Sequence, residues 1–169
     1  KRFKQKEKGD IRFIFERIGF STKMNELEAA VGLGSLEIYD KILEKRHKNL
    51  IYLISKFKKF SPYLSTIEEG PNEKLGPHAF PVIINEEAPF SRDDMVRFLE
   101  KSGIDTRDLF SSMPTQCAGY GYLGYRLGDF PNAEYIGEHG LHVGVHQDMG
   151  KAECDYFLSK VEEFLTKKI

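Results

Sequence analysis

The stretch Arg17-Ile-Gly-Phe-Ser-Thr-Lys-Met-Asn-Glu-Leu-Glu-Ala-Ala-Val-Gly-Leu-Gly-Ser-Leu36 decides the fold of this chain. A polar turn that contains glycine runs without a break into a helix that opens with small residues. Asn25 and Glu28 have the spacing of a capping box, in which each side chain accepts a hydrogen bond from a backbone N–H of the other residue. The segment therefore predicts a long helix, preceded by a turn that presents polar side chains from its rigid end.

Composition limits the class of protein. The chain has 169 residues, 40% of them apolar and 30% charged, which is typical of one globular core. Its net charge of -1 argues against a nucleic-acid-binding protein. No apolar run approaches the roughly 20 residues that span a bilayer, and the charged start is not a secretory signal. We therefore expect no membrane partner, and the presence of only two cysteines favours a cytoplasmic location.

Apolar spacing and turn signals predict the order of elements along the chain. We expect an extended arm over residues 1–16, and a domain over residues 17–169 that begins with a long helix ending near Phe60. The later elements alternate between strands and helices. We expect strands at 64–67, 78–84, 104–110 and 141–145. We expect helices after Ser91, at 132–138 and over the last 16 residues or so. Pro81 inside a strand indicates an edge position or a bulge. This order predicts an α+β (α/β two-layer) domain with helices covering a small sheet.

Three polar residues at the ends of predicted strands are candidates for binding a substrate. His78 opens an apolar strand, Arg107 lies in a short strand, and His146 follows the strand at 141–145. Arginine presents a rigid fork of donors that suits a carboxylate or a phosphate. Each of the three also fits an ordinary surface residue. We expect them to face one cleft, since strand ends of one sheet converge.

Two other motifs are set aside. Gly119-Tyr-Gly-Tyr-Leu-Gly124 matches G-x-G-x-x-G, but the residues before it do not form a strand, so we do not expect a dinucleotide site. His139, His142, His146 and Cys154 lie close in sequence without a metal-ligand spacing on one element. Because Cys154 belongs to the apolar stripe of the last helix, it is predicted to be a core residue, and no metal is expected.

Taken in order, several segments resemble the sugar-nucleotide aminotransferases of the DegT/StrS type, which use pyridoxal phosphate (PLP). The segment from Arg17 to Gly32 resembles the family's turn and Ala-Ala-x-Gly helix opening. Further matches follow in the family's order: Pro77-His-Ala-Phe, Pro89-Phe-Ser-Arg-Asp-Asp, Gly103-Ile-Asp-Thr-Arg, Pro114-Thr-Gln, Leu123-Gly-Tyr, Gly128-Asp-Phe-Pro-Asn-Ala-Glu and Gly144-Val-His-Gln. The resemblance covers essentially residues 10–169.

The resemblance implies a specific part of a larger enzyme. Members are roughly twice this length, and their large N-terminal domain holds the lysine that forms the Schiff base with PLP. The chain is therefore similar to the C-terminal small domain of a fold-type-I PLP enzyme of the aspartate aminotransferase superfamily, with a small, mainly antiparallel sheet. Ser21 stands where the family has an asparagine that reaches the PLP phosphate of the neighbouring subunit, and Lys23 lies in the same turn. The resemblance implies that these two bind the cofactor.

The function implied for the full-length parent is transfer of an amino group from glutamate to a nucleotide-linked keto-sugar. The product would feed polysaccharide, lipopolysaccharide or amino-sugar biosynthesis, and the enzyme would be a homodimer. No catalytic residue is assigned to this chain, and we expect the isolated chain to be inactive. Two alternatives stay open. One is the family's dehydrase branch, in which a histidine replaces the Schiff-base lysine. The other is a non-catalytic domain that binds a sugar nucleotide or a partner.

Overall fold

A computed structural model describes residues 24–109 and 116–169. They belong to two compact units, one ending at Glu37 and the other beginning at Ile38. The expected arm at 1–16 and the turn that holds Ser21 and Lys23 lie outside the described residues. The helices are α1 (Glu26–Phe57), α2 (Arg92–Lys101), α3 (Pro131–His139) and α4 (Lys151–Lys168), and the strands are β1 (Leu64–Ser65), β2 (Ala79–Ile84), β3 (Thr106–Asp108) and β4 (Gly140–Gly144).

In the first unit, the start of α1 forms as the sequence predicts. The Glu28 backbone N–H donates to Asn25 Oδ1 at 2.8 Å, and the Asn25 backbone N–H donates to Glu28 Oε2 at 3.1 Å. The predicted capping box is therefore confirmed. The apolar side chains of the first turns, such as Leu27 and Val31, are exposed.

The second unit contains one antiparallel sheet with the order β1-β2-β4-β3. Alternate residues of β2 are buried, because they face the helix layer. The core combines these with the inner faces of the helices, and its fully buried members include Leu53, Phe80, Met95, Leu141 and Val161. The predicted α+β fold with a small, mainly antiparallel sheet covered by helices is confirmed.

α3 packs against the other face of the sheet, at one end. A Cβ added at Gly140 would meet the carbonyl oxygen of Ile136, and Tyr135 Oη donates to the carbonyl of Ile84 at 3.0 Å. At the opposite end of β4, near Gly144, the face that α3 packs against carries polar side chains instead. That end of the face holds the candidate site.

Candidate functional site

The candidate site is built on the register of three strands. On β4, His142 pairs with Pro81 of β2 on one side and with Arg107 of β3 on the other. Leu141 and Val143, on either side of His142, are buried in the core. Because side chains alternate along a strand, His142 must lie on the face turned away from the helix layer.

Pro81 explains how β2 accepts a proline next to this site. β1 pairs only with Ile83 and Ile84, so β2 has no ladder partner on that side at Pro81, where Thr66 Oγ1 instead donates to the Pro81 carbonyl at 2.6 Å. Pro81 is therefore at a local edge of the sheet, where the lack of an N–H does not remove a hydrogen bond between strands.

A small open cavity lies over this end of the sheet. It has a volume of about 260 Å³ and is lined by His78, Ala79, Asp105, Arg107, His142 and Gly144. The rings of His78 and His142 are 6.1 Å apart between centroids, tilted by 38°. We call this cavity the two-histidine pocket.

The two-histidine pocket combines nitrogen donors of two histidines and an arginine with one carboxylate. Burial lowers the pKa of His142 from its ordinary value of 6.5, and the neighbouring His78 and Arg107 lower it further. Arg107 brings a permanent positive charge. Asp105 is the one carboxylate among the residues that line this pocket.

Two of the three sequence-predicted substrate residues, His78 and Arg107, therefore line the same pocket. His146 does not line it. It follows β4 by two residues, its Nδ1 is 3.3 Å from Asp148 Oδ2, and its carbonyl accepts from Asn49 Nδ2 at 3.0 Å. Its substrate role stays a prediction.

The loop after His146 lines a separate, larger groove. This groove has a volume of about 800 Å³ and runs between the middle of α1 and the start of α4. Arg46 Nε donates to Gln147 Oε1 at 2.9 Å, and Asn49 Nδ2 donates to the Met149 carbonyl at 2.9 Å. These bonds fix the loop to α1.

Sequence reasoning did not select His142 and Asp105 as substrate residues. It weighed His142 only as a metal ligand. In residues 24–109 and 116–169, no group of three or more His, Cys, Asp or Glu side chains is placed to hold a metal ion. A signal for His142 was available, because the alternation in Leu141-His-Val143 places it on the face opposite the core. Cys154 is fully buried, as predicted.

Lysines line the larger groove but not the two-histidine pocket. None of the six residues that line the two-histidine pocket is a lysine. Lys151, in the larger groove, is hydrogen-bonded to Asp155 and to Tyr52, and these bonds raise its pKa. A Schiff-base lysine needs the opposite shift, since the neutral amine is the nucleophile. Ser21 and Lys23 lie outside the described part of the chain.

No helix in the described ranges is long and apolar enough to cross a membrane.

Comparison with known proteins finds relatives whose names refer to lipopolysaccharide biosynthesis or to sugar-nucleotide enzymes. The chain is 26% identical over 156 residues to the lipopolysaccharide biosynthesis protein RfbH of Salmonella typhimurium, covering 92% of this chain and 36% of that protein. It is 27% identical over 147 residues to the dTDP-4-amino-4,6-dideoxy-D-glucose transaminase of Shigella dysenteriae, covering 86% and 39%. The solved structure of E. coli GDP-4-keto-6-deoxy-D-mannose-3-dehydratase with bound hydrated PLP superposes with a TM-score of 0.73 at 27% identity, covering 88% and 38%.

The chain thus spans less than two fifths of the length of these relatives, as the resemblance in the sequence implied. The model of one family, described as the DegT/DnrJ/EryC1/StrS aminotransferase family, matches residues 2–162. The chain belongs to the DegT/DnrJ/EryC1/StrS aminotransferase family.

Proposed function

We propose that this chain is the small-domain part of a PLP-dependent enzyme that transfers an amino group from glutamate to a nucleotide-linked keto-sugar. The observation that carries the proposal is the family match over residues 2–162. The names of the relatives support it, since one is a lipopolysaccharide biosynthesis protein and another a dTDP-sugar transaminase. When bound, PLP supplies the electron sink for such a transfer.

In this proposal the chain supplies binding groups on the substrate side. Arg107 and His78 bind an anionic group of the substrate from the two-histidine pocket, where the guanidinium offers several donors. His146 contacts substrate from the loop after β4. Ser21 and Lys23 bind the PLP phosphate in the neighbouring subunit of a cytoplasmic homodimer, an assignment that rests on their place in the family's turn.

A second candidate is the dehydratase branch of the family. It is supported by 30% identity over 147 residues to the GDP-4-keto-6-deoxy-D-mannose 3-dehydratase of Escherichia coli, against 27% over 147 residues to the Shigella transaminase. In that branch the sugar loses a hydroxyl group, and the residue that separates the branches belongs to the large domain.

The test reads the gene upstream of this chain and, where it encodes the family's large domain, assays the joined polypeptide. The purified protein is loaded with PLP and incubated with glutamate and either a GDP-linked or a dTDP-linked 4-keto-6-deoxy-sugar. Mass spectrometry then follows the sugar, and light scattering gives the oligomeric state.

An amino-sugar product with release of 2-oxoglutarate supports the aminotransferase proposal. A sugar that lacks one hydroxyl supports the dehydratase instead. If no large domain with a PLP-binding lysine or its histidine replacement precedes the chain, both proposals are wrong, and the non-catalytic binding domain of the sequence analysis takes their place.

A further inference from the structure

His142 is a residue to which the family resemblance assigns no role. It lies in the middle of β4 between Pro81 and Arg107, on the open face of the sheet. It is half-buried, whereas His78 and Arg107 are exposed. The side chain therefore forms the floor of the two-histidine pocket, while the other two stand at its rim.

The two formal charges that line the pocket, on Arg107 and Asp105, cancel, so a proton on a histidine ring makes the lining net positive. Arg107 lies beside His142 on β3, and His78 approaches it from the segment before β2. Asp105, just before β3, is the carboxylate that lines the pocket. At the far end of β4, the same face is covered around Gly140 by the backbone oxygen of Ile136, from α3, and by the apolar side chains of Leu109 and Ile83.

We propose that His142 binds an oxyanionic group, a phosphate or a carboxylate, and takes up a proton as it does so. The proposal rests on the proposed function, because that function makes this the pocket of an anionic substrate. The cavity of about 260 Å³ has room for one such group against His78, Arg107 and His142. A protonated imidazole donates from both ring nitrogens, whereas a neutral one donates from only one.

The coupling between anion and proton follows from the neighbouring charges. Without an anion, burial, His78 and Arg107 hold the pKa of His142 below 6.5. An oxyanion in the pocket adds a negative charge beside the ring, which favours the protonated form. The bound state thus holds the proton more tightly than the free state. Affinity rises as the pH falls through the interval between the two pKa values, by up to about tenfold per pH unit.

The test uses the 169-residue chain itself and follows each histidine ring by NMR. Sulfate is the phosphate-like probe, since its charge does not change between pH 5 and 8. Glutarate is the probe for a carboxylate, and sodium chloride at matched ionic strength is the control for screening. His47, which is 2.7 Å from Glu69 and does not line the pocket, is the internal reference.

We expect saturating sulfate or glutarate to raise the pKa of His142 and leave that of His47 as it is in chloride. The probe that binds more tightly identifies the source, with sulfate indicating a nucleotide phosphate and glutarate the amino donor. His142→Gln should remove the pH dependence that this residue confers and weaken binding at pH 6 by about tenfold, the size of one charge-assisted hydrogen bond. Arg107→Gln should weaken binding at every pH, and Arg107→Lys should restore part of it.

Equal responses of His142 and His47 to either probe would overturn the proposal, provided that the backbone spectrum shows a folded chain. A pH dependence that survives in His142→Gln at its full size would overturn it as well. If His142 responds but the joined polypeptide has no transaminase or dehydratase activity, the oxyanion site stands and the proposed function fails. If the joined polypeptide is active but the pKa of His142 does not respond to either probe, the proposed function stands and the oxyanion site fails.

Discussion

Arg107 brings the permanent positive charge to the two-histidine pocket. In the joined parent enzyme, Arg107→Ala removes a charge-assisted hydrogen bond of about 1.5–3 kcal/mol to an anionic substrate, so kcat/KM should fall by roughly 10- to 150-fold. The free energy of unfolding should change by no more than about 0.5 kcal/mol, because the side chain is exposed. Steady-state kinetics and urea unfolding measure the two effects.

Arg97→Ala is the matched control for Arg107. Arg97 is an exposed arginine on α2 that pairs with Asp94 and does not line the pocket. Its replacement should leave kcat/KM unchanged. If Arg107→Ala instead unfolds early with unaltered kinetics per folded molecule, the residue is structural.

The protonation of Asp94 reports on the capping of α2. A backbone hydrogen bond from Ser91, then hydrogen bonds from the Arg97 and Ser91 side chains, lower its pKa from 3.8 to about 2. The folded state therefore binds this proton less readily than the unfolded chain. The resulting stability is present above pH 3.8 and is lost as the pH falls toward 2.

The urea midpoint of wild type should thus exceed that of Asp94→Asn at pH 5, and the difference should shrink between pH 4 and pH 2. Asp93→Asn, which removes a negative charge from the same helical turn, controls for net charge. A difference between wild type and Asp94→Asn that stays constant down to pH 2 contradicts the assignment.

The sequence predicted only some of the residues that line the pocket. His78 and Arg107 were recognisable because a polar side chain at the end of an apolar strand is conspicuous. His142 was not selected, because its position between them depends on cross-strand register. A local pattern gives the face on which a residue lies but not the strand that pairs with it.

At the scale of elements, Gly140 directly follows α3 and begins β4, and its backbone N–H donates to the carbonyl of Ile136. A Cβ there would lie 2.6 Å from Leu109 Cδ1 and would also meet the backbone oxygen of Ile136. Because a backbone atom cannot rotate away, Gly140→Ala should destabilise the chain by at least about 1–3 kcal/mol. Gly144→Ala, on the same strand, is the control, since no described atom lies within 4 Å of its Cβ. Urea unfolding of both variants checks this, and equal stabilities would show that α3 moves freely.

Helices were predicted better than strands. α1 ends at Phe57 and a short 3₁₀ turn continues to Phe60, the predicted end of the helix. The helix predicted after Ser91 is α2, and Ser91 and Asp94 form a capping box at its start. By contrast, β1 has only two residues and β3 only three, shorter than predicted. A helix is set by local spacing and caps, whereas a strand extends only as far as a partner strand pairs with it.

At the scale of the whole molecule, the proposed homodimer predicts activity shared between subunits. Ser21→Ala in the parent should weaken PLP retention by about 1 kcal/mol, the size of one hydrogen bond. If this turn serves the neighbouring subunit, mixing a parent inactivated in the turn with a parent inactivated at the cofactor lysine should restore activity. Gel filtration before and after mixing controls for subunit exchange. Exchange without recovered activity would place the turn in its own subunit's site.

In the proposed function, this chain provides the substrate side of a PLP enzyme and depends on the large domain for chemistry. The most direct measurement adds PLP, glutamate and a nucleotide-linked keto-sugar to the purified chain, and records the absorbance band of an internal aldimine together with any amino-sugar product. We expect neither a stoichiometric band nor product from the chain alone, and both from the joined parent if it is an aminotransferase. A stoichiometric aldimine on the isolated chain, abolished by one Lys→Ala substitution, would contradict it.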